Sequence, residues 1–275
     1  MECVDCGSAA TSERRDRTAQ GYRRFRCRDC GWEFNERSGG LLNRTQYPSD
    51  VIALVVLWRL RHRLTLQDLS EMFLQRRIVF SHETVREWEA KLTPFLTNEL
   101  RQRRRGRGGA GRRSWHVDET YLKVRGRWCY LYRAINRNGD LVDTMLSERR
   151  DMAAAKAFFR SAKSAIGLVP DRVTTDGHGS YPRAIRSTLG RGVRHRTSAY
   201  KNNRLEQDHR GVKGRTRCVR GFKVFGAADR FYRGHDELRA FLRLRTRHRQ
   251  HVPANRRRLL HFRHATAVLA ILQAA

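Results

Sequence analysis

The sequence predicts a mixed α/β sheet preceded by a small metal-bound module and an all-α domain. Three observations carry that expectation. Two CxxC pairs lie near the N-terminus, helical periodicity runs through residues 45–100, and strand patterns with interleaved helices begin at residue 114. Residues 101–113, almost entirely arginine and glycine, separate the second region from the third.

Cys3 and Cys6 form the first pair, Cys27 and Cys30 the second, and a glycine follows each (Gly7, Gly31). In a reducing compartment such knuckles favour tetrahedral Zn²⁺ over disulfides, because the short spacing brings two thiolates to one ion. The glycine lets the chain turn beneath the metal. Residues 1–38 are too few to bury a core, so zinc is expected to supply the folding energy of this ribbon. Its expected strands are "YRRFRC" and "GWEF". Cys129 sits in an apolar run and reads as core, while Cys218 has no evident place.

In the all-α region, "YPSDVIALVVLWRLRHR" reads as a helix capped by Ser49. A second helix places Leu66, Leu69, Met72 and Phe73 on one face, and "RRIVF" breaks it. A third opens at Ser81 or Thr84, with Glu83 in its first turn and Val85 and Trp88 inward. Two short helices with a tight connection fit a helix-turn-helix whose second member would read DNA. Arg86, on the outer face of that helix, is a reasonable groove or phosphate contact, with a solvated arginine the competing reading. The following "RQRRRGRGGAGRR" carries no apolar side chain larger than alanine and reads as a flexible, basic linker.

From residue 114 to 245, "SWHVDETYLKV" and "RWCYLYRAI" form a hairpin and "DLVDTMLSERR" a third strand. Then come a helix ending at Gly167, a strand through "DRVTTDGHGSY", a helix at "PRAIRSTLG", the strand "VRHRT", and a helix over "YKNNRLEQDHRGVKGR", capped by Asn202 or Asn203. That order is a ribonuclease H-like mixed sheet. Residues 246–275 form a basic tail ending in the apolar helix "HATAVLAILQAA", expected to pack on the sheet domain or on another subunit.

The balance of 58 Lys+Arg against 27 Asp+Glu gives a formal charge of +31, best explained by a polyanionic partner bound with steep salt dependence. No apolar run is long enough for a membrane span and no signal pattern is present, so the chain reads as cytoplasmic or nucleoid-associated.

Among the acidic residues, Asp118 lies on the first strand and Asp176 where the fourth ends. Those strands are neighbours in this topology, which brings two carboxylates together and calls for a cation, Mg²⁺ or Mn²⁺ for hard oxygen ligands. Glu206 on the later helix can close the site, sharing a helix face with His209, Arg210 and Lys213. Glu119, a strand neighbour of Asp118, should point to the opposite sheet face. It reads as structural, as does Asp208, and packing is the reading for His209.

The stretches "WHVDETYLKVRGRWCYLYRAI", "AAKAFFRSA", "TTDGHGSYPRAI", "NNRLEQDHRGVKGRTR" and "GFKVF", with "SHETVREW" upstream, resemble the DDE transposases of insertion-sequence family six. The resemblance implies that Asp118, Asp176 and Glu206 are the catalytic, metal-binding triad, and that Arg210 and Lys213 contact DNA. It implies binding to element ends, then strand cleavage and strand transfer by two-metal phosphodiester chemistry, in a typically replicative, cointegrate-forming reaction. Pairing two ends requires at least a dimer on double-stranded DNA. "DGHG" departs from the family in having a looser loop after Asp176. A catalytically silent DNA-binding regulator and a nuclease that cuts without joining are the competing readings.

Overall fold

The computed structural model describes residues 1–105, 113–198, 203–219, 221–244 and 252–275, with the side chains of 203–210 outside the description. The ribbon comprises β1 (Thr11–Arg17), β2 (Arg23–Cys27) and β3 (Glu33–Asn35), an antiparallel sheet in that order. Sequence patterning foresaw β2 and β3 but not β1, which is charged and largely exposed and so carries no apolar alternation. Phe25 stacks on Phe34 at 5.5 Å, and these rings with Cys3 and Cys27 are the module's small core.

Three helices follow: α1 (Ser49–Arg61), α2 (Leu66–Leu74) and α3 (His82–Arg104). The expected Ser49 cap is absent. Pro48 stands at the N-cap without a side-chain bond, and the Tyr22 hydroxyl of the ribbon accepts from the Ser49 amide at 2.7 Å instead. Thr65 and Asp68 close a capping box on α2, and Ser81 rather than Thr84 caps α3. On α2, Leu69 and Phe73 are buried, but Met72 lies outside the contact face. The larger difference is at the expected linker. Helix α3 continues through Arg101–Arg104, because those arginines have buried partners: Arg104 donates to Glu237 at 2.6 and 2.7 Å, and Arg101 to Glu237 and Asp143. Of the remaining segment, residues 106–112 lie outside the description.

The second sheet has β4 (Ser114–Val124), β5 (Arg127–Asn136), β6 (Leu141–Ser147), β7 (Arg172–Thr175) and β8 (Arg194–Thr197), in the order β6-β5-β4-β7-β8. The first three are antiparallel, while β7 and β8 run parallel to β4. This is the ribonuclease H-like mixed sheet that the element order implies. Arg125 (φ 51°) and Gly126 (φ 76°) form the two-residue turn of the β4–β5 hairpin. Helices α4 (Met152–Ile166) and α5 (Ser180–Thr188) cover one face, over a core of Trp115, Val117, Tyr132, Phe158, Phe159 and Tyr181. Asp151 caps α4 and left-handed Gly167 ends it.

The other face meets α6 (Asn203–Cys218) and α7 (Phe225–Leu242), and α8 (Ala254–Gln273) packs behind them on the helical side. Leu122, Val124, Cys129 and Leu131 of the sheet belong to the same apolar cluster as α1, α3, α7 and α8. The helical domain and the sheet are therefore continuous in packing. Helix α8 lies chiefly against α1, with smaller contacts to α3 and to α7 of the sheet domain, and the Ala275 carbonyl accepts from the Leu41 amide.

Candidate active site and metal centres

Strand register builds the acidic site. His116 of β4 pairs with Thr174 of β7, so two residues further along, Asp118 stands beside Asp176 at the strand end. Carboxylate oxygens of Asp118, Glu119 and Asp176 all lie within 4.8 Å of one another. Alternation turns Glu119 toward the α4–α5 face, yet its carboxylate still reaches the cluster, so the expectation that it stands apart does not hold. Glu119 is buried and Asp118 half-buried.

Arg150, just before the α4 cap, ties this cluster together. Its Nε lies 3.2 Å from Glu119, its Nη2 2.8 Å from Asp176, and its Nη1 donates to the Tyr121 hydroxyl at 3.2 Å. One guanidinium against three carboxylates leaves the site net negative. The consequence is visible in Asp118. Burial, opposed by the Glu119 amide and reinforced by the charges of Glu119 and Asp176, pushes its carboxyl up to about 6. Burial first, then the Glu119 charge, likewise raises the Tyr181 hydroxyl well above its ordinary range. An all-oxygen, under-neutralised cluster of this size suits a hard divalent cation.

The loop after Asp176 is more constrained than its glycines suggest. The Asp176 carboxylate accepts from the His178 amide at 3.1 Å, and the His178 ring bonds Ser180 at 2.8 Å. Glu206 and Arg210 belong to α6, whose backbone packs against β4, but their side chains lie outside the described residues, as do those of Asp208 and His209. The capping expectation at Asn202 also falls outside them. Lys213 is exposed on the same helix. Arg215, two residues on, is buried: its Nη2 donates to the carbonyls of Arg59 at 2.6 Å and Leu60 at 3.1 Å, fastening α6 to the C-terminal end of α1. Arg86 is exposed on α3 and pairs with Glu83 at 2.6 Å, far from the carboxylates in sequence and element.

In the ribbon, the Sγ atoms of Cys3 and Cys30 lie 3.6 Å apart, as do those of Cys6 and Cys27, and all four are within 4.8 Å. Four sulfurs at roughly 2.3 Å from one ion in a tetrahedron would sit about 3.8 Å apart, so the donor set fits Zn²⁺. Gly7 and Gly31, both at φ 75°, make the two knuckle turns. The Cys30 amide leads the effects that push the Cys27 thiol down to about 7.

Sequence reasoning did not single out Arg150 or Tyr121. Arg150 is one of 58 cations, and only the fold distinguishes it.

Comparison with known proteins agrees with this geometry. A family model described as a DDE domain, of the IS240 transposase type, matches residues 112–245. The transposase of the insertion sequence-like element IS431mec from Staphylococcus aureus is 34% identical over 174 residues, covering 62% of this chain and 75% of that protein. The transposase of IS257 in transposon Tn4003, also from S. aureus, matches to the same extent. Among solved structures, the HTLV-2 integrase catalytic core with magnesium superposes with a TM-score of 0.37 at 14% identity, over 48% of this chain and 87% of that one. The sheet domain is thus a polynucleotidyl transferase domain of the DDE class. The chain belongs to the DDE transposases of insertion-sequence family six. Among the described residues, no helix is long and apolar enough to cross a membrane.

Proposed function

We propose that this transposase binds the ends of its element, cleaves the DNA strand there and joins it to target DNA replicatively, forming cointegrates. The gathering of Asp118, within β4, and Asp176, just past the end of the adjacent β7, carries the reading. Glu206, on the helix packed against β4, completes the set. These three residues would hold Mg²⁺ or Mn²⁺, which when bound supplies an activated oxygen nucleophile and charge neutralisation at the phosphate. Asp118 is prepared for that task by a partly buried position in which its ionised form lacks a full counter-charge. Arg150 holds Asp176 and Glu119 in place from the side of α4. Arg210 and Lys213, one and two turns beyond Glu206, are placed to hold DNA phosphates. Helices α2 and α3 would read the element end, with Arg86 as a backbone or groove contact released from Glu83.

The ribbon, with Cys3, Cys6, Cys27 and Cys30 on Zn²⁺, steadies the N-terminal side of that reading unit. Two ends must be brought together, so a homodimer or higher oligomer works on DNA. The setting is the nucleoid in the cytoplasm.

Purified protein with labelled duplexes bearing the gene's flanking ends, a supercoiled plasmid and Mg²⁺ or Mn²⁺ tests this. Joined product is expected from wild type, with a loss of at least about 100-fold for Glu206→Gln. End binding without cleavage or joining in either metal would instead mark a DNA-binding regulator.

A further inference from the structure

The β4–β5 hairpin leaves two large rings in solvent on the sheet face that Glu119 shares: Trp128 is 57% exposed and Tyr121 46%. They belong to one ladder on one sheet face, since Tyr121 pairs across the strands with Tyr130 and Lys123 with Trp128. Tyr121 meets Tyr130 at 5.4 Å and Trp128 at 6.4 Å, both edge to face. Such rings on a surface cost solubility, and among the described residues neither Trp128 nor Tyr121 belongs to the apolar cluster on either side of the sheet.

Three features say what covers them. The ladder starts at the site already described, because the Tyr121 hydroxyl accepts from the same Arg150 that binds Asp176. Glu119, on the same face, is buried and paired with Arg150, and the exposed charge of the ladder is Lys123, whose Nζ stands 4.8 Å from the Trp128 ring centroid. The hairpin is also held rigid, its Arg125 amide donating to the Phe222 carbonyl at 2.8 Å on the far side of α6. Aromatic rings in line with cations, on a fixed strand pair leading from a phosphodiester site, match the chemistry of nucleobase stacking. A second copy of this chain, itself strongly basic, would bring like charge to the ladder.

We propose that Tyr130, Tyr121 and Trp128 form a stacking platform for unpaired bases of the DNA strand whose phosphate reaches Asp118 and Asp176. This rests on the reading of the carboxylate cluster as the strand-cleaving site. It assigns the platform a preference for frayed or single-stranded ends over closed duplex.

The experiment compares full-length wild type, Trp128→Ala and Trp128→Phe by fluorescence anisotropy at fixed salt. The probes are a blunt duplex and the same duplex with a short oligothymidine overhang. Wild type should prefer the overhang, and Trp128→Ala should reduce the overhang-to-blunt affinity ratio about tenfold, the scale of one lost base stack. Trp128→Phe should restore most of the ratio. An unchanged ratio in Trp128→Ala overturns the platform, as does a change in the mass of the free protein by light scattering, which would mean that a second copy covers this face. Strand joining by wild type, assayed separately, reports on the active-site reading and can succeed or fail independently of the ratio.

Discussion

His235 of α7 is buried, its Nδ1 lies 3.0 Å from the Leu60 carbonyl, and its ring stacks on Phe231 with an interplanar angle of 2°. A neutral ring donating from Nδ1 satisfies that carbonyl. Burial, against the partial compensation of the Asp236 charge, pushes the imidazole down to about 4. The unfolded chain takes its proton near 6.5, so between those values the unfolded state binds more protons. The contribution is therefore complete above about pH 6.5 and is lost as pH falls toward 4, by about 3 kcal/mol over the window. Urea unfolding at pH 5.0 and 6.5 should show wild type gaining stability across that interval and His235→Gln gaining clearly less. Equal gains would place the proton uptake elsewhere. Little of this is written in the sequence, where His235 is one histidine among 11. The meeting of Asp118 and Asp176 was legible because the expected topology sets the first strand beside the fourth, at whose end Asp176 stands. Glu119 was misjudged because alternation fixes a side chain's face but not the reach of its carboxylate past the end of a neighbouring strand.

Between elements, the tightest crossing is that of α3 and α7. A Cβ at Gly234 would stand 2.3 Å from Cγ2 of Thr93, a fully buried side chain. Gly234→Ala must push the two helices apart and should cost about 1–3 kcal/mol. A melting temperature lower by roughly 2–8 °C is the expected reading, and an unchanged one would show that the crossing yields freely. The same pair of helices explains why residues 101–104 were misread. Arginine and glycine around them lack the apolar periodicity of a packed helix. The turn is held instead by Glu237 and Asp143, which are distant in sequence. Caps and strand hairpins, by contrast, are local, and Ser81 and Gly167 stand at the helix ends that the sequence marks.

At the scale of the whole molecule, the ribbon is fastened to the helical core at a few defined points. Besides the Tyr22–Ser49 bonds, Arg37 donates to the Tyr47 carbonyl at 3.1 Å, its guanidinium lying 5.0 Å from the Tyr22 ring centroid. Removing the proposed zinc should therefore be felt beyond the ribbon. With a strong chelator, amide exchange in the first turn of α1 should accelerate, while β4 and β5 keep their protection. Protection retained at Ser49 and its neighbours after metal release would show that the ribbon stands without zinc. The ribbon, the helices and the strands were readable from the sequence, because cysteine pairs, helical periods and strand runs are each local signals. Their common core was not, since it depends on which faces the chain's long-range contacts bring together.

The unbroken course of α3 has a geometric consequence. Its 23 residues span about 35 Å, and Pro94, which gives up one intrahelical bond, does not end it. One end begins at the Ser81 cap beside α2, and the other is locked to β6 and α7 by Arg101 and Arg104. The helix therefore acts as a ruler as well as a scaffold. One inserted residue would lengthen it by about 1.5 Å and turn its start by about 100° relative to the carboxylates. Under the proposed reading of DNA by α2 and α3, the distance in base pairs between the bases that are read and the bond that is cut is a matter of helical phase, changeable only in whole turns.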